Sequence, residues 1–79
     1  MYQKNMEPRP LDALNIARGK KVFVDLKNGK TYSGALEAFD IHLNLVLSEV
    51  EERTGGEVTR KMNKVLVRGD TILIIAPEE

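Results

Sequence analysis

Two short polar clusters interrupt apolar stretches of this chain. One is Asp40, His42 and Asn44, within "FDIHLNLVL". The other is Arg68, Gly69 and Asp70, within "VLVRGDTIL". In an extended segment alternate side chains share a face, so Asp40, His42 and Asn44 would lie together, opposite Ile41, Leu43 and Leu45. Three polar groups on one face are costly unless they meet a partner. Their chemistry suits a nucleobase. The His42 imidazole and the Arg68 guanidinium are planar and can sandwich a ring. The Asn44 amide offers both a donor and an acceptor, which matches the N3–H and carbonyl oxygens of a uracil edge. Asp70 is expected to orient Asn44 by accepting from its NH₂ group. Gly69 is expected to leave a backbone N–H open to base or phosphate. Asp40 is expected to accept local backbone N–H groups, as aspartates in turns do. Stacking combined with edge hydrogen bonds is how single-stranded RNA is generally read.

These groups need elements that bring them together. Residues 1–9 are polar and read as a loose arm. Pro10 suits the first position of a helix. Leu11, Leu14 and Ala17 form an apolar stripe, with Arg18 and Gly19 as stop signals. After Gly19 the period changes to two, and Val22, Val24 and Leu26 share a face. Asn28-Gly29 predicts a tight primed hairpin turn with positive φ at both residues. "TYSGALEAF" returns as a second strand, and Gly34 within it predicts a sharp bend or a close approach of backbones. "LNLVLSEVEE" is a third strand with Leu43, Leu45 and Leu47 inward and a charged far end in solvent. Gly55-Gly56 turns the chain into a fourth strand that ends at "RGD". "TILIIAP" is a fifth, stopped by Pro77. The expectation is one domain over residues 10–77 and a tail at 78–79, with one helix followed by five antiparallel strands. In such a barrel short loops gather at one rim, so the two polar clusters become neighbours.

Composition narrows the function classes. The chain has 79 residues, 12 basic against 12 acidic side chains, one His and no Cys. Zero net charge excludes a global basic field, so any nucleic-acid contact must be local. Without cysteine there are no disulfides and no thiolate metal site. A single His cannot build a zinc site with ordinary ligands. One His with scattered carboxylates and no nucleophile partnered to it is a poor catalytic set. The reading is therefore no enzyme, no metal and no cofactor. No apolar run approaches the roughly 18 residues of a membrane span, and the first ten residues hold no apolar signal core. A cytoplasmic protein with no membrane partner is expected. Ile72, Leu73, Ile74 and Ile75 do not alternate, so the last two strands are apolar on both faces. Either one small domain wraps both faces, which a chain of this size can barely do, or a neighbouring copy covers the second face; the second reading is favoured, since unpaired edges invite pairing with another copy.

The chain resembles the Sm and Sm-like protein family. "GKTYSGALEAFDIHLNLVL" is similar to its first motif, with the D-x-H-x-N segment, and "VLVRGDTILIIAP" to its second. The order of the motifs and the acidic segment between them match as well, and the D-x-H-x-N form is most similar to archaeal members. The resemblance implies a mostly β fold, a short N-terminal helix followed by a strongly bent five-stranded antiparallel SH3-like barrel. It implies a ring, most often a homoheptamer, closed by pairing the fourth strand with the fifth of the next copy. Val65, Leu66, Val67, Ile72 and Ile74 are then expected at the subunit interface. It implies binding of uridine-rich single-stranded RNA around a central pore, with roles in RNA processing, chaperoning or turnover. His42 and Arg68 would stack the base, Asn44 would read its edge, Asp70 would hold Asn44 and Asp40 would support the loop. Some relatives use the helix for a second RNA contact, which makes Arg9, Asn15 and Arg18 candidates. The rival reading is a ring-forming protein-interaction scaffold without base-specific binding.

Overall fold

A computed structural model describes residues 10–78. The helix α1 spans Pro10–Ala17 and is followed by β1 (Lys21–Leu26), β2 (Lys30–Phe39), β3 (Leu45–Thr54), β4 (Glu57–Val67) and β5 (Ile72–Pro77). The expected arm at residues 1–9 and the last tail residue, Glu79, lie outside the described residues. All strand pairs are antiparallel, in the order β4-β3-β2-β1-β5. The mostly β fold with one short helix is as the sequence implies. Of the expected helical stripe, Leu14 and Ala17 are buried, while Leu11 is exposed.

The sheet is strongly bent, and one position shows why. A Cβ on Gly34 would come within 2.7 Å of the Ser48 carbonyl oxygen and 3.1 Å of the Val50 side chain. Only a residue without a side chain lets β2 cross β3 this closely. Opposite it the β2–β3 register shifts between Ser33 and Ala35, and Glu49 takes a φ of 52°. This bulge changes the phase of β3. Leu45 and Leu47 are buried before it, and Val50 and Glu52 after it. The bend lets one sheet enclose Val22, Val24, Leu36, Leu45, Leu47 and Val50, all at most 1% exposed. Burying each such side chain stabilises the fold by about 1.5–3 kcal/mol.

Several sequence expectations change here. The β1–β2 hairpin forms where Asn28-Gly29 places it, but only Gly29 has positive φ, at 89°. Its N–H donates to the Leu26 carbonyl at 3.0 Å, and the Asn28 side chain accepts from the Lys30 N–H at 3.0 Å. This is a three-residue loop closed by a left-handed glycine, not a primed two-residue turn. β3 starts at Leu45 rather than Leu43. Its far end does not simply project into solvent, because Glu52 is only 4% exposed. The run of isoleucines in β5 also has a geometric cause. Asp25 pairs with Ile74 but Leu26 pairs with Ile72, so Leu73 is the extra residue of a bulge. Ile72 and Ile75 pack on the core, while Leu73 and Ile74 turn outward.

Candidate nucleic-acid interface

Asp40, His42 and Asn44 do not lie in a strand. They form the loop between β2 and β3, so the alternating face suggested by their spacing is absent. The loop is built around the Asp40 carboxylate. Its Oδ1 accepts from the backbone N–H of His42 at 2.9 Å and of Asn44 at 3.1 Å. Its Oδ2 accepts from the Asn44 amide nitrogen Nδ2 at 3.0 Å. The Leu43 N–H donates to the Asp40 carbonyl at 3.0 Å, which closes the turn, and Leu43 sits at a φ of 64°. The Asn44 amide beside Asp40 is the chief reason that its carboxyl is held below the usual range, with the two backbone donors acting the same way. Asp40 therefore stays ionised and keeps the loop closed.

The second cluster meets the first directly. The Gly69 N–H donates to Asn44 Oδ1 at 2.8 Å. A Cβ on Gly69 would overlap the His42 carbonyl oxygen and approach the Leu43 carbonyl group to 3.0 Å. The glycine is required because the two loops touch backbone to backbone. Gly69–Thr71 form a single 3₁₀ turn, pinned by the Thr71 N–H and hydroxyl, which both donate to the Arg68 carbonyl, at 3.0 and 2.7 Å. The Thr71 carbonyl in turn accepts from the Lys27 N–H at 2.8 Å.

This geometry corrects two expected roles. Asp40, not Asp70, holds the Asn44 amide. Asp70 instead faces Arg68 across 3.3 Å, with both side chains largely in solvent. The Gly69 N–H is spent on Asn44 and is not open to a ligand. The orientation of Asn44 is nevertheless well defined, since a carboxylate can only accept and a peptide N–H can only donate. Among the described residues, one Nδ2 proton and one Oδ1 lone pair have no protein partner. His42 and Arg68 are exposed beside the half-buried Asn44. What remains is a donor and an acceptor on a fixed amide, with His42 two residues before Asn44 and Arg68 next to the Gly69 that bonds it.

At the helix, Asn15 accepts from Arg18 at 3.2 Å, and the Arg18 guanidinium lies 5.9 Å from the Phe39 ring centre. Arg9 lies outside the described residues. Of the expected interface residues, Leu66 and Ile74 are 66% and 56% exposed. Val65 and Ile72 are half-buried against the core, and Val67 is buried in this chain's own interior. Leu73, at 63% exposure, was not anticipated. Nor was the cluster around Glu52. Its carboxylate accepts from the Tyr32 hydroxyl at 3.1 Å and the Thr59 hydroxyl at 3.0 Å, with Lys30 at 3.8 Å. The bulge at Glu49 turns Glu52 inward, and a phase change of that kind leaves no mark in the sequence beyond Gly34 on the facing strand. Among the described residues no group of His, Cys, Asp or Glu side chains is arranged to hold a metal ion, and no helix is long and apolar enough to cross a membrane.

A bent five-stranded sheet that clasps an Asp-x-His-x-Asn loop against an Arg-Gly-Asp turn defines a class of small β domain. The LSM domain family model matches residues 12–77, and the chain belongs to that family. Members of this family are ring-forming, RNA-binding proteins without enzymatic activity. Among relatives, an Sm-like protein of Archaeoglobus fulgidus is 49% identical over 72 residues, which cover 91% of this chain and 94% of the relative. Among solved structures, an Sm protein of Pyrococcus abyssi in complex with a uridine heptamer superposes with a TM-score of 0.87 at 43% identity, covering 89% of this chain and 99% of that one. A heptameric archaeal Sm protein superposes with a TM-score of 0.80 at 37% identity, covering 85% and 97%.

Proposed function

We propose that this protein assembles into a homoheptameric ring through one domain over residues 10–77 and binds uridine-rich single-stranded RNA at its central pore. The observation that carries the reading is the clasp from Gly69 to Asn44. It fixes the amide and leaves one donor and one acceptor without a protein partner among the described residues, the complement of a uracil edge, with the planar groups of His42 and Arg68 as the stacking pair. Gly69 and Asp70 belong to the site through the turn they build, and Asp40 as the centre of the facing loop. Two comparisons support the reading: one similar protein was solved with a uridine heptamer and another as a heptamer. The free edges of β4 and β5, with exposed Leu66 and Ile74, supply the surface for ring closure. One weak base site per copy is repeated around the ring, so affinity accumulates through avidity. Such a ring serves RNA processing, chaperoning or turnover in the cytoplasm.

The test is a titration of labelled oligo(U) and oligo(A), with native mass recorded on the same sample. A ring-sized species that prefers oligo(U) is the expected result. A ring without base preference would favour the scaffold reading, and a monomer would remove the ring.

A further inference from the structure

The helix is held to the sheet by few contacts. α1 has eight residues, and only Leu14 and Ala17 of them are buried. Ile16 is 68% exposed. Isolated helices shorter than about 12–15 residues are marginal in water, so packing must hold this one. Beside it lies a cleft of about 520 Å³ with a mainly apolar lining. α1 contributes Ala13, Leu14 and Ile16 to its walls, and β5 contributes Ile75 and Pro77. The charged residues of the lining are Lys20 and Glu78.

The nine residues before Pro10 carry a pattern that suits such a cleft. In an extended segment alternate side chains share a face. Tyr2, Lys4, Met6 and Pro8 then fall on one side, and Gln3, Asn5, Glu7 and Arg9 on the other. The first side is apolar apart from the Lys4 head group, whose stem is itself hydrocarbon. The second is wholly polar. The length fits as well. Met6 stands four residues ahead of Pro10, a reach of about 13 Å at roughly 3.3 Å per residue. Ile16 stands six residues beyond Pro10 along the helix, about 9 Å at roughly 1.5 Å per residue. The difference leaves slack for a reversal at Pro8 and Arg9. We propose that residues 1–9 fold back along α1 of their own chain and seat Met6 in this cleft, between Ile16 and Ile75. Lys4 shares the side of Met6 and brings its ammonium group toward the Glu78 carboxylate, while the polar side stays in solvent. Tethering favours this occupant over a second molecule, because a short linker presents the arm at about millimolar effective concentration. The arm thereby supplies the packing that α1 lacks, whatever the rest of the protein binds.

The test uses the full chain, labelled at the methionine ε-methyl and isoleucine δ1-methyl groups, with the Met6 signal assigned from a Met6→Leu sample. Nuclear Overhauser effects from the Met6 methyl to the methyls of both Ile16 and Ile75 are the expected result. In a second sample, chains labelled only on methionine are unfolded and refolded together with chains labelled only on isoleucine. The same effects should vanish there. Their persistence would assign the cleft to the arm of a second copy, and their absence from the first sample would assign it to another occupant. Either result overturns the proposal. Thermal unfolding gives an independent reading. Met6→Asp is expected to lower Tm by about 4–8 °C, the shift that loss of one modest apolar contact produces in a domain of this size. Asn5→Asp, on the polar side, should leave Tm unchanged. Equal shifts from the two variants would overturn the seating.

Discussion

Two carboxylates organise the two ends of this sheet, and they do so differently. Asp40 sits in an exposed loop and Glu52 in a buried strand position. Each collects hydrogen bonds, and each is held below its usual titration range. For Asp40 the main cause is the Asn44 amide. For Glu52 it is the Thr59 hydroxyl, opposed by burial and helped by Tyr32 and Lys30. The Tyr32 hydroxyl is pushed the other way, first by burial and then by the carboxylate it faces. At the Glu52 end each carboxylate oxygen accepts from a hydroxyl of a neighbouring strand, Oε2 from Tyr32 and Oε1 from Thr59. At the Asp40 end the network stops one step short, because among the described residues Asn44 keeps one donor and one acceptor without a protein partner. The Glu52 cluster ties β2, β3 and β4 together, whereas the Asp40 loop leaves the Asn44 amide only half satisfied.

Substitutions can break this contrast. The largest effect is expected from Gly69→Ala. Its methyl group would overlap the His42 carbonyl, so the two loops must separate. A loss of about 1–3 kcal/mol of stability is expected from the overpacking, together with loss of RNA binding, as read by chemical denaturation and by titration. Asn44→Ala should leave the fold largely intact and remove about 1–3 kcal/mol of the preference for oligo(U), the worth of two hydrogen bonds. Equal weakening for oligo(U) and oligo(A) would show that the edge is not read by this amide. Tyr32→Phe tests the other end. It should cost about 0.5–1.5 kcal/mol of stability while the ratio of oligo(U) to oligo(A) affinity stays constant. A changed ratio would mean that the two ends are coupled.

Acid separates the site from an ordinary surface loop. A carboxyl whose folded value is lowered contributes fully above its ordinary range, and the contribution disappears as pH falls through the lowered value. Oligo(U) binding at constant salt should therefore persist through the ordinary carboxylate range and decline only below it. A decline that begins at the ordinary aspartate value would show that Asp40 is not held by Asn44. The smallest effect is expected from Asp70→Ala. An exposed ion pair with Arg68 contributes about 0–1 kcal/mol, so stability and uridine affinity should change little. A loss as large as that of Asn44→Ala would restore Asp70 to the role the sequence suggested for it.

The sequence alone determined the order of elements and named the candidate residues of the site. Period-two alternation marked Val22, Val24 and Leu26 as a core face, because a strand repeats every two residues whatever it packs against. Gly34 announced the bend, since a glycine inside a strand has few other reasons to be there. His42, Asn44 and Arg68 stood out as candidates because planar and amide side chains are scarce within apolar stretches of sequence. Tertiary structure decided how those residues are connected. The sequence pointed to Asp70 as the partner of Asn44, and only the closed turn around Leu43 gave the role to Asp40. Gly69 looked like a free donor until the approach of the two loops spent its N–H on Asn44. Glu52 and Leu73 were placed by bulges, one turning a charge inward and the other turning a leucine out. Local periodicity follows from neighbours along the chain. A bulge follows from which strand lies opposite, and that is fixed only when distant segments meet.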